Sequence, residues 1–103
     1  MAEKVLAGTS VTVNAEGYFE NPAQWTKEMA VEMAKDYNIT LTDKHFAVLE
    51  YLRQQHNAGV QLTIRKVGNS GITDIKELYQ LFPGGPLKIS SKLAGIPKPT
   101  SCV

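Results

Sequence analysis

The sequence predicts a mainly helical α+β domain. It should hold a small N-terminal β-hairpin, four to five short helices including a helix-turn-helix-like pair, and a mobile C-terminal arm. Three observations predict this. Apolar residues recur every three to four positions through the middle of the chain, and two short β-rich runs stand near its start. The closing stretch Gly95-Ile96-Pro97-Lys98-Pro99-Thr100-Ser101-Cys102-Val103 can be neither regular helix nor central strand. At 103 residues, 43% hydrophobic and 20% charged, the chain suits one globular domain. Residues 1–94 are expected to form it and residues 95–103 the arm.

The elements follow in order. Residues 4–7 and 10–13 read as strands turning at Gly8-Thr9, and the second ends in the polar turn Asn14-Ala15-Glu16-Gly17. Asn21-Pro22 reads as an N-cap followed by proline at the first helical position. The helix so opened should run through Trp25, Met29, Ala30, Met33 and Ala34, and Asn38 should close it. Thr42 caps a second helix, with Phe46, Leu49, Leu52 and His45 on one face and Lys44, Glu50 and Arg53 on the other. Asn57-Ala58-Gly59 stops it. A third helix opens at Leu62 or Thr63, carries Ile64 and Val67, and ends in the glycine-bearing turn 68–71. Thr73 is expected to cap a fourth, with Ile75, Leu78, Tyr79, Leu81 and Phe82 packed inward. Pro83-Gly84-Gly85-Pro86 breaks the chain. A last amphipathic piece over residues 87–94 places Leu87, Ile89 or Ser90, and Leu93 on neighbouring faces, and Gly95 stops it.

Composition narrows the function. A formal charge of +1 offers no basic stripe for nucleic acid. No run approaches the roughly 20 apolar residues of a membrane helix, and residues 1–8 lack a secretory h-region, so no membrane association and a cytoplasmic location are expected. His45 and His56 stand eleven apart with no second cysteine, which predicts no metal site. The glycine turns lack the lysine and spacing of a phosphate loop, so no cofactor is expected. Ser90 and Ser91 have no partner base. The pair spanning residues 63–82 resembles a helix-turn-helix, and a DNA-binding regulator is one alternative. Against it, two of the three exposed early positions, Asp74, Lys76 and Glu77, are acidic and would face phosphate.

The one cysteine, Cys102, is the specific signal. It cannot form an internal disulfide, and its penultimate place sets it apart from a core thiol. Pro97 and Pro99 bias the arm toward extended conformation, and Gly95 is expected to be its hinge. At ~3.1 Å each, the eight residues 95–102 reach roughly 25 Å, enough to carry a thiol into a partner's site. Lys98 and Lys92 favour the thiolate while the carboxylate of Val103 opposes it. Further activation should come from a partner's pocket, or from Arg65 or Lys66 if the arm folds back.

The segments Tyr79-Gln80-Leu81-Phe82-Pro83-Gly84-Gly85-Pro86 and Lys92-Leu93-Ala94-Gly95-Ile96-Pro97-Lys98-Pro99-Thr100-Ser101-Cys102-Val103 closely resemble the C-terminus of the DsrC/TusE family of sulfur carriers. Gly17-Tyr18 and Asn21-Pro22-Ala23-Gln24-Trp25 resemble its N-terminal pattern. The resemblance implies that Cys102 takes a sulfane sulfur as a persulfide and passes it on, without independent turnover. It implies a donor of DsrEFH or TusBCD type and, as acceptor, a thiolase or sulfite reductase. It also implies a second cysteine eleven residues before the first, and Ser91 stands there. Serine cannot hold sulfur. The single-thiol pattern is therefore similar to the TusE relay toward tRNA 2-thiouridine. Partnership with dissimilatory sulfite reductase, as a gamma subunit, is the alternative.

Overall fold

The computed structural model describes residues 2–99. Strands β1 (Ala2–Leu6) and β2 (Thr9–Val13) form an antiparallel hairpin. The turn is Ala7-Gly8, with φ of +50° and +78°, and not Gly8-Thr9. A two-residue turn matches the twist of its strands when both residues take positive φ, and Leu6 pairs with Thr9 in that register. Val11 and Val13 point inward and Val5 outward.

The helix expected from Asn21 onward is two elements. Asn21 caps only a 3₁₀ turn at Pro22–Gln24, and Trp25 is extended (φ −72°, ψ 141°). Thr26 then caps α1 (Lys27–Lys35), its hydroxyl accepting from the Met29 amide. Asn38 closes the helix in left-handed conformation (φ +57°), and the Ile39 amide reaches back to Ala34 O. Helix α2 (Asp43–Asn57) starts after Thr42 and ends at Ala58-Gly59, as the sequence predicts. Its inner face is His45, Val48, Leu49 and Leu52, with Phe46 only half-buried.

Thr63 opens α3 (Ile64–Gly68). Asp74, not Thr73, caps α4 (Ile75–Leu81), its carboxylate accepting from the Glu77 amide at 2.7 Å. Leu78 and Phe82 face the core, while Ile75 and Tyr79, expected inside, are 42% and 49% exposed. The α3–α4 pair is close because Gly68 lacks a side chain: a Cβ there would lie 2.3 Å from Ile75 Cγ1. Pro86 sits at the first turn of α5 (Pro86–Leu93).

This last helix is the hub. It packs against α1, α2 and α4 and buries Leu87, Ile89, Ser90, Ser91 and Leu93. His45 links two elements: Nδ1 accepts from the Thr42 amide (3.0 Å), so Nε2–H donates to Leu81 O (3.0 Å). A backbone amide can only donate and a carbonyl only accept, which fixes the neutral tautomer. The ring meets Phe82 edge-on at 5.2 Å. Among the described residues no helix is long and apolar enough to cross a membrane.

Candidate functional site

The candidate site lies where α5 gives way to the tail. The helix ends in a glycine-terminated cap: Gly95 takes φ +67°, its amide bonds Lys92 O (3.1 Å), and the Ile96 amide bonds Ser91 O (3.3 Å). Gly95 and Ile96 are both buried. Trp25 lies against Gly95 so tightly that a Cβ would fall 2.3 Å from its Cδ1. The same indole donates Nε1–H to Leu93 O at 2.7 Å.

Arg53 completes the clamp. The sequence places it on the outer face of α2, but it turns inward beside Trp25. Nη1 donates to Ala94 O (2.9 Å) and Nη2 to Pro22 O (3.0 Å), while the guanidinium stacks 4.4 Å from the indole centroid. Burial lowers the Arg53 pKa from its ordinary value. The group still carries its charge at neutral pH, since arginine starts so high.

Beyond Ile96 the contacts thin out. Lys98 pairs with Glu16 in the turn after β2, at 3.0 and 3.1 Å, with both side chains largely solvent-exposed. That turn is held in shape by Asn14, whose Oδ1 accepts from the amides of Glu16 and Tyr18, each at 3.0 Å. Pro97 and Pro99 are half-buried. Residues 96–99 form one wall of a groove of about 340 Å³ whose other wall is His56 with Gly59, Val60, Gln61 and Leu62.

Gly95, Pro97, Lys98 and Pro99 thus share one locale, while Cys102 lies outside the described residues. Lys92 stacks over the Tyr18 ring at 5.2 Å. Ser91 is fully buried, and its hydroxyl has no hydrogen-bond partner among the described residues. Ser90, next to it, donates to Leu87 O (3.2 Å). Arg65 and Lys66 are exposed on α3, and no hydrogen bond or ion pair joins them to residues 95–99. The α4 N-terminus, where a DNA reader would present donors, carries Asp74 as its cap and Glu77 bonded to Thr73 and Lys44. That arrangement suits a helical hairpin and supplies no phosphate contact.

Sequence reasoning missed Trp25 and Arg53. The available signal was Arg53 standing four residues after Leu49 and next to Leu52, at the border of the apolar stripe and not opposite it.

A helical body with an N-terminal hairpin and a tail bearing the one thiol defines a class, and comparison with known proteins specifies it. The family model described as "DsrC like protein" matches residues 5–103. The chain belongs to the DsrC-like family. Among curated relatives, sulfurtransferase TusE of Photorhabdus laumondii is 31% identical over 96% of both chains. Sulfurtransferase TusE of Escherichia coli is 28% identical over 96% of this chain and 98% of its own. Among solved structures, Allochromatium vinosum DsrC superposes with a TM-score of 0.78 at 34% identity, over 98% of this chain and 97% of that one. The oxidized gamma subunit of dissimilatory sulfite reductase (DsrC) from Archaeoglobus fulgidus gives 0.81 at 30% identity, over 99% and 100%.

Proposed function

We propose that this protein is a sulfur-relay carrier that accepts a sulfane sulfur as a persulfide on Cys102 and delivers it to a partner protein. The observation that carries the reading is the joining of full-length similarity to sulfurtransferases with a single thiol at the penultimate position. In the loading step the Cys102 thiolate attacks the outer sulfur of a donor persulfide. The donor's S–S bond breaks, the donor leaves as thiolate, and no net oxidation occurs. In delivery, an acceptor thiolate attacks the outer sulfur of the Cys102 persulfide, and Cys102 departs as thiolate. Donors of DsrEFH or TusBCD type and an acceptor thiolase fit these steps.

Ser91 favours relay toward tRNA 2-thiouridine over sulfite-reductase partnership. With serine where the family resemblance implies a second thiol, the chain cannot close an internal sulfur bridge. The likeness to a sulfite reductase gamma subunit supports the second reading. The test is mass analysis after incubation with polysulfide. Cys102 should gain the mass of one sulfur atom, and Cys102→Ser should gain none; equal loading of that variant sinks the carrier reading.

A further inference from the structure

We propose that this protein associates with copies of itself head to tail, the α1–β1 flank of one chain seating on the α3–α4 face of the next. The proposal does not depend on the carrier reading. Among the described residues four large apolar side chains are exposed: Val5, Val31, Ile75 and Tyr79. They fall into two pairs with opposite electrostatic surroundings. Ile75 lies across Gly68, so α3 and α4 present one face there, and Arg65 stands one turn before Gly68 on the same side of α3. Tyr79 follows Ile75 by one turn of α4, with exposed Lys76 beside them. Arg65 and Lys76 enter no ion pair among the described residues. Glu77, by contrast, is already bonded to Lys44 and Thr73, and Asp74 caps its own helix. The face is apolar with positive charge left over.

The other pair sits among acids. The Glu32 carboxylate accepts from the Ala7 amide and Lys4 pairs with Asp36 at 3.9 Å, so residues 4–7 run beside residues 32–36 in the opposite direction. Val5 projects outward between those two ties, and Val31 is exposed next to Glu32, with Glu28 one turn before it. Glu28 enters no ion pair among the described residues, and Lys35 is the one unpaired cation of α1 among them. Two acids against one cation leave this flank negative. Helix α5 packs against both α1 and α4, which keeps the two patches apart within one chain. A second copy supplies to each patch the complement it lacks, apolar surface with charge of the other sign. Because the two patches differ, the contact is heterologous and repeats beyond two chains. Each patch is small beside the roughly 800 Å² per partner of a stable complex, so association is weak and grows with concentration.

Sedimentation at rising protein concentration tests this, with reductant present so that the lone thiol couples no chains. In low salt the wild type should exceed the mass of two chains at the highest concentrations, and high salt should weaken the association. Arg65→Glu and Glu28→Lys should each weaken it by about fivefold, since each replaces an exposed attraction with a repulsion. An equimolar mixture of these two variants should regain it, because alternating chains then bring opposite charges together at every contact. Glu20→Lys, a reversal at an exposed position outside both patches, should behave as the wild type. Tyr79→Ser should weaken association by about tenfold at either salt concentration, because it removes apolar area from the centre of the contact. A wild type that keeps the mass of one chain throughout overturns the proposal and leaves the two faces to unlike partners. A mixture no more associated than its components, or association that stops at two chains, overturns it as well.

Discussion

Two consecutive stretches of chain, residues 93–96 and residues 97–99, are held in opposite ways. The first is buried and tied by five hydrogen bonds: to Trp25, to Arg53, within the glycine cap of α5, and from Ala94 back to Ser90. The second is half-exposed and, among the described residues, is tied by one surface ion pair, Lys98 to Glu16. Burial strengthens a hydrogen bond's consequences because an abandoned partner cannot turn to water. An exposed ion pair is worth little, because water and salt compete for both charges. The dense network of buried bonds therefore stops within one residue, and its boundary falls after Ile96.

That contrast can be broken in graded ways. Gly95→Ala should have the largest effect, since the new Cβ collides with Trp25 and φ +67° strains any side chain. A loss of about 3 kcal/mol is expected in urea unfolding, and a loss under about 0.5 would mean Trp25 simply swings aside. Arg53→Leu comes next, at about 2 kcal/mol, because Ala94 O loses its arginine donor and Pro22 O keeps only the Trp25 amide. Ser91→Ala should act in the opposite direction. Its hydroxyl is buried without a partner, so removing it should raise the unfolding midpoint, by about 1 kcal/mol of stability. Destabilisation there would reveal a hydroxyl partner outside the described residues. Lys98→Ala should be the mildest, below about 0.5 kcal/mol, and the difference should vanish in high salt.

Much of this was legible in the sequence. The hairpin, the Thr42 start of α2 and a start of α3 at Leu62 or Thr63 follow from local chemistry, alternation and hydroxyl caps, whereas Pro86, read as part of the chain break, is the first residue of α5. Two of the errors share one cause, competition between candidate caps that local rules rank equally. Asp74 caps α4 in place of its neighbour Thr73. Thr26 opened α1, although Asn21 was as good a cap, because Trp25 had to be extended to reach Leu93. Arg53 was misplaced because periodicity assigns charge to the solvent face. It has no way to register two carbonyls contributed by the distant residues 22 and 94. The tail motif itself was the plainest signal in the chain. The groove beside it, and the clamp beneath it, are long-range products of folding.

The abrupt end of the clamp at Ile96 also has a kinetic meaning. Once a partner docks against the body, the thiol is no longer a solute that must be met by diffusion. Attachment to the same chain then gives it an effective concentration on the order of millimolar. Delivery then resembles an intramolecular reaction, whose rate depends on docking geometry and hardly at all on the abundance of the carrier.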